Sequence, residues 1–279
     1  MTMGLSQICF LGITDSLKMN KTTTIEVLII AKNEAKYIEA SLRSALLVGP
    51  VCVVDTGSTD ETVDIALRMG ARVVHHDFVT FKVAREFALA QSTADFVMFL
   101  DADEVIPQAL ATRILQFVTT DEGELLLIPR KNLLLGEWVR HSMWYPDHQS
   151  RVVRRDLARF QSQWVHERLV DVGRVIWLPE HHDLDLIHRT CDDVGAYFGK
   201  IHHYTTLEAQ QYLGSHPFKL TAMGIFTRSF GMFTQTLFHH KGLRDGKNGF
   251  IVAVFNFVYS LMMMTKLWAL EEKQRRDTL

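Results

Sequence analysis

At 279 residues, 47% of them hydrophobic and 22% charged, the chain can bury a sizeable core and form one or two domains. Thirty basic against 32 acidic side chains leave a formal charge of −2, which excludes a general nucleic-acid binder. Cys9, Cys52 and Cys191 are too few and too scattered for a zinc site or a disulfide framework, and suit a reducing compartment.

Residues 1–24 read as a loose leader without the basic start and long apolar core of a secretory signal; Met19 is an alternative start. From 25 to 130 apolar runs alternate with helical patterns. Strands are expected at Ile25–Ala31, Val51–Asp55, Ala71–His75, Phe96–Asp101 and Leu125–Arg130. Helices are expected at Glu34–Leu47, Thr59–Met69, Lys82–Ala90 and Pro107–Val118. This alternation predicts an α/β region with a mostly parallel, doubly wound sheet. Ser58 and Glu61 have capping-box spacing for the second helix, and Gly70 suits its end. Residues 131–190 break into short strands rich in Trp, His and Arg, and residues 191–279 become helical and strongly apolar.

Three strand ends carry chemistry. Ala31–Ala35 (AKNEA) follows the first strand. Asp55–Glu61 (DTGSTDE) follows the second and joins a carboxylate to a glycine turn and a helix start, an arrangement suited to a ribose or base with phosphate nearby. Asp101–Glu104 (DADE) follows the buried run of the fourth strand, and alternation puts Asp101 and Asp103 on one side, as paired carboxylates for a hard divalent cation. Each could be ordinary turn chemistry, since Asp, Gly, Ser and Thr are what such loops use. Three acidic loops on one sheet edge point instead to a ligand.

Ile30–Ala35 (IAKNEA), Val53–Thr62 (VVDTGSTDET) and Phe99–Glu104 (FLDADE) resemble the nucleotide-sugar-binding half of inverting family-2 glycosyltransferases. Trp164–Leu169 (WVHERL) and Gly242–Gly249 (GLRDGKNG) narrow the resemblance to the branch of lipopolysaccharide core β-glucosyltransferases. It spans about residues 25–268 and is densest in the first hundred. It implies a GT-A fold: a Rossmann-like, mostly parallel sheet flanked by helices, then an acceptor-side mixed region and a C-terminal helical segment. It also implies that Asn33 and Glu34 lie beside the nucleotide and that Asp55 bonds base or ribose. Asp103 would coordinate Mg²⁺ or Mn²⁺ on the diphosphate, with Asp101 toward ribose or metal-bound water. Arg85 would face the diphosphate, although Glu86 stands where relatives commonly have Asn. The implied donor is a nucleotide sugar, with UDP favoured, and the acceptor is a lipid-linked or lipopolysaccharide-type glycan. The implied place is the cytoplasmic face of a bacterial inner membrane.

Transfer passes through an oxocarbenium-like state and needs an acceptor base on the face opposite the leaving diphosphate. Glu167 is the candidate, supported by its neighbour His166 and by Trp164, which suits stacking on an acceptor sugar. The structural alternative pairs Glu167 with Arg168 or Arg151; Asp103 and Glu104 compete for the base role. His188 stands where relatives place a His and is a candidate third metal ligand beside Asp101 and Asp103, or else a structural histidine.

Phe250–Met264 is uncharged for fifteen residues, short of the roughly 20 that span a bilayer. With the apolar and basic residues upstream it suggests a helix lying on an anionic membrane, or else a cap over the sheet or a dimer interface. Two other functions fit parts of the pattern. A haloacid-dehalogenase-like phosphatase would use Asp101 as nucleophile and Asp192–Asp193 as metal ligands. A non-catalytic carbohydrate-binding protein could use the same fold.

Overall fold

The computed structural model describes residues 23–161, 168–169, 173–216 and 220–278. The strands are β1 (Ile25–Ala31), β2 (Val51–Asp55), β3 (Arg72–His75), β4 (Phe96–Asp101), β5 (Glu104–Val105), β6 (Leu125–Leu134), β7 (Glu137–Trp138), β8 (Asp147–Arg154), β9 (Phe160–Gln161), β10 (Arg168–Leu169), β11 (Val175–Trp177) and β12 (Leu186–Cys191). The helices are α1 (Ile38–Ala45), α2 (Thr62–Arg68), α3 (Phe81–Ala90), α4 (Gln108–Thr120), α5 (Val194–Tyr212), α6 (Ala222–Thr234) and α7 (Gly246–Thr278).

One sheet runs β3-β2-β1-β4-β8-β6-β12-β5. Its first four strands are parallel, as their strand–helix alternation requires. β1 is apolar at all but one position because both its faces are covered. Val27, Ile29 and Ala31 pack with Ile38 and Leu42 of α1 and Leu110, Ile114 and Phe117 of α4. Leu28 points the other way, to Val97, Phe99, Ala88 of α3 and Phe160. Each fully buried Leu, Ile or Phe contributes about 1.5–3 kcal/mol, so this two-sided core fixes the strand register. β8 then turns the sheet antiparallel. β6 runs past position 130 to Leu134, pairing with β8 on one edge and with β11 and then β12 along its length, so the first two parts of the chain share one sheet.

Local details differ from the sequence reading. Residues 34–37 form a turn before α1 rather than its first coil, with Tyr37 N–H donating to the Glu34 carbonyl at 2.9 Å. The Ser58–Glu61 capping box does not form: α2 starts at Thr62 with no side-chain cap, and the Ser58 hydroxyl accepts from Asn33 N–H at 3.0 Å. Side-chain caps form instead on α3, where the Thr80 hydroxyl accepts from Val83 N–H, and on α5 and α6, through Asp193 and Thr221. Gly70 ends α2 at φ +80°, as expected.

The glycine motif of residues 242–249 is a packing device. A Cβ on Gly249 would lie 1.8 Å from the Gly242 carbonyl oxygen, and one on Gly242 2.7 Å from that of Thr236. Between them Asp245 accepts from the backbone N–H groups of Arg140 and His141 and from the Ser142 hydroxyl. The uncharged run 250–264 lies inside the longer helix α7, with Val252, Ala253, Phe255 and Met264 buried. By length and composition the stretch Gly242–Asp277 could cross a membrane, yet α7 packs along both α5 and α6.

Candidate active site

Parallel pairing brings the three expected loops together. Ala31 stands opposite Asp55, and Ile30 opposite Asp101, so the first, second and fourth strands end side by side. Asn33 staples the first two loops. Its backbone takes the left-handed region at φ +57°, which Asn tolerates, and its Oδ1 accepts from Thr59 N–H at 2.7 Å. Glu34 N–H donates to the Thr62 hydroxyl at 2.8 Å. Asp55 turns back on its own loop and accepts from Gly57 and Ser58 N–H groups and from His75. Burial works against its charge, but these hydrogen bonds outweigh it and hold the carboxyl below its ordinary range.

Asp101 and Asp103 have different surroundings. Asp101 sits among guanidiniums: Arg151 at 2.6 Å, Arg85 at 3.5 Å and Arg130 at 3.8 Å. Burial opposes its charge, and the three cations override it, holding the acid well below the usual carboxylate range. Glu104, fully buried, takes a second bond from Arg151 and one from Arg130 at 3.1 Å. Arg130 also grips Asp147 at 2.7 Å. Arg151 is therefore engaged by both Asp101 and Glu104.

Asp103 faces a histidine and a lysine. His188 Nε2 lies 3.5 Å and Lys200 Nζ 3.3 Å from the same Oδ2. Burial again pushes upward, but His188 and Lys200 bring this carboxyl to about 2. Asn132 orients the histidine. Its Nδ2 donates to the Trp144 carbonyl and to Asp147, so its Oδ1 is the atom that accepts from His188 Nδ1, at 2.6 Å. In the neutral ring the proton therefore sits on Nδ1, leaving the Nε2 lone pair for a cation shared with Asp103; in the imidazolium Nε2–H faces the carboxylate instead.

Among the described residues no three His, Cys, Asp or Glu side chains form a cation cluster. Asp103 and His188 do offer one oxygen and one nitrogen donor side by side, a set that accepts a divalent cation whose other ligands come from phosphate and water. Lys200 holds a positive charge at the same oxygen. Glu34 lies in the field of both acids: burial first, then repulsion from Asp103, raise it to about 7 despite the opposing pull of Lys200.

The structure thus gathers Asn33, Glu34, Asp55, Arg85, Asp101, Asp103 and His188 at one edge. Trp164, His166 and Glu167 lie outside the described residues. Trp138 is packed edge-on by Tyr145 and His182, with Arg140 and Lys131 over its ring. The acids that a phosphatase would need are committed elsewhere, Asp193 capping α5 and Asp192 accepting from Tyr37.

Sequence reasoning missed Arg130, Asn132 and Lys200. Arg130 and Asn132 continue the alternation of β6 beyond its apolar run, which is their one signal. Lys200 is the sole Lys or Arg in α5.

A mostly parallel sheet with acidic loops at its carboxyl edge and an antiparallel extension is the GT-A glycosyltransferase architecture. The chain superposes on S. aureus TarS residues 1–349 in complex with UDP, with a TM-score of 0.50 and 18% identity over 91% of this chain and 92% of the other. The chain belongs to glycosyl transferase family 2, whose sequence profile matches residues 26–170. It is 27% identical over 256 residues to the lipopolysaccharide core biosynthesis glycosyltransferase LpsC of Rhizobium meliloti (strain 1021), covering 88% of this chain and 92% of the relative. It is 25% identical over 264 residues to the uncharacterized glycosyltransferase RC0292 of Rickettsia conorii (strain ATCC VR-613 / Malish 7), covering 89% and 92%.

Proposed function

We propose that the protein is a metal-dependent, inverting hexosyltransferase that moves a sugar from a nucleotide donor, UDP-linked by preference, to a lipopolysaccharide-core or related lipid-linked glycan. The observation that carries this reading is the Asp103–His188 pair, 3.5 Å apart beside the arginine cluster at the sheet edge. Likeness to LpsC over most of both chains supports the acceptor class, and TarS, crystallised with UDP, supports the nucleotide.

Asp103 and His188 would hold Mg²⁺ or Mn²⁺, which when bound neutralises charge on the departing diphosphate. Arg85 would share that charge as the sugar–phosphate bond lengthens, a stabilisation that grows only toward the transition state. Arg130 and Arg151 keep Asp101 ionised and fixed, so it can accept from a ribose hydroxyl or a cation-bound water. Asp55 and Asn33 shape the nucleoside pocket through the loop they pin. Glu167 is assigned as the base that takes the acceptor proton, with His166 and Trp164 on the acceptor side. A single displacement inverts the anomeric centre.

We place the enzyme on the cytoplasmic face of the inner membrane, where a lipid-anchored acceptor is presented. The test is donor turnover in the presence of Mn²⁺ and an acceptor glycolipid. Wild-type protein should release nucleoside diphosphate and Glu167→Gln should bind donor without turnover. Donor binding with no turnover by the wild type, whatever the acceptor, would leave only a carbohydrate-binding protein.

A further inference from the structure

The C-terminal helices carry an apolar face that the fold leaves uncovered. On α6, Met223, Phe226, Phe230 and Phe233 recur at spacings of three and four and so share one stripe. Met223 is 72% exposed, Phe226 54% and Phe230 50%. Their rings form a ladder: Phe226 stacks on Phe230 at 6.1 Å and Phe230 on Phe233 at 6.0 Å. Phe233 meets Phe250 of α7 edge-on at 5.8 Å, and Phe226 meets Phe257 of α7 at 6.3 Å. In the link between the two helices, Phe238 and Leu243 are 68% and 61% exposed. So many large apolar side chains grouped at one surface mark a contact site.

The charges around this face are one-sided. Lys241, Arg244 and Lys247 are exposed in the same link and at the start of α7. The sole acid between residues 235 and 250, Asp245, is turned inward onto His141 and Ser142. Among the described residues Glu137, 3.4 Å from Lys247, is the one acid facing these cations in an ion pair. Two copies meeting through this face would bring like-charged basic clusters together, a poor match for a self-complementary interface.

We propose that this ridge is a membrane-docking surface: α6 and the first turns of α7 lie in the headgroup boundary of an anionic bilayer, with Phe226, Phe230 and Phe250 inserted and Lys241, Arg244 and Lys247 on lipid phosphates. The inference deepens the membrane placement proposed above and is independent of the transfer reaction.

The test is sedimentation of the full-length protein with phosphatidylglycerol-containing vesicles and with pure phosphatidylcholine vesicles. Wild type should pellet with the anionic vesicles and be released by salt. Phe226→Ser with Phe230→Ser should weaken partitioning at least about tenfold, and Lys241→Gln with Arg244→Gln about 10–30-fold. Circular dichroism and thermal unfolding confirm that the variants fold. No association of the wild type with either vesicle would overturn the membrane placement itself. Association unchanged by both pairs of substitutions would overturn only this face. Resistance of bound wild type to alkaline carbonate would overturn the interfacial geometry in favour of a spanning α7. Lipid-independent dimers abolished by the phenylalanine substitutions would assign the ridge to a second copy.

Discussion

At the carboxyl edge of the sheet, polar side chains hold one another in place: three guanidiniums fix Asp101, and an amide fixes His188 against Asp103. In the C-terminal helices the fixing is done by close backbone approach at Gly242 and Gly249 and by ring-on-ring contact. The first region is costly to assemble, because each buried charge must find its counter-charge. The second is assembled mainly from apolar residues, with Asp245 as a polar anchor. The contrast teaches that charged side chains are locked in place at the sheet edge, as the proposed donor site needs, while the helical region is shaped chiefly by packing. α5 joins the two by carrying Lys200 to Asp103 while packing on α7, and β6, which carries Arg130 and Asn132, also reaches α7 through Leu134 beside Val252 and Phe255.

The largest effect should come from Asp103, the acid proposed to meet the cation. Asp103→Asn is expected to lower turnover by about 10²–10³-fold with unchanged circular dichroism; retained activity in chelator would break the division between the regions. Arg151→Met tests the preassembled edge as structure. It leaves Glu104 buried with one partner fewer, and should cost about 3–5 kcal/mol in chemical denaturation. On the helical side, Gly249→Ala forces a methyl toward the Gly242 carbonyl and should cost about 1–3 kcal/mol or more, with donor affinity intact in the folded fraction. Asn132→Ala frees the His188 ring and should weaken Mn²⁺ binding about 10–100-fold, read by calorimetry.

The smallest effect concerns pH. Glu34 has its folded pKa raised from 4.5 to about 7, so the folded state holds its proton more tightly than the unfolded one. Its favourable contribution is full below about 4.5 and is lost as pH rises through about 7. Glu34→Gln should therefore gain stability relative to wild type at pH 8 compared with pH 4, read by thermal unfolding. The same variant should flatten the rise of Mn²⁺ affinity between pH 5 and 8.

Much of this was legible in the residues. The alternation of apolar runs and helical patterns located β1, β2, β4, α1 and α4 to within a few residues, because strands covered on both faces must be apolar along their length. The acidic loops could be read because a parallel sheet puts successive loops on one edge. What could not be read is how these acids are shared out. Asp101 and Asp103 look alike two residues apart, yet one meets arginines from β6, β8 and α3 and the other a histidine from β12 and a lysine from α5. Those partners lie up to 97 residues away, and local spacing carries no record of them. The capping box failed for a related reason, since Ser58 is used by Asn33 from another loop.

The most direct measurement is calorimetric titration of UDP-sugar into the wild type and into Asp103→Asn, each with Mn²⁺ and with chelator. Tight binding by the wild type only when the cation is present, lost in the variant, is the expected result. Equal affinity in all four titrations would contradict a cation held between Asp103 and the diphosphate.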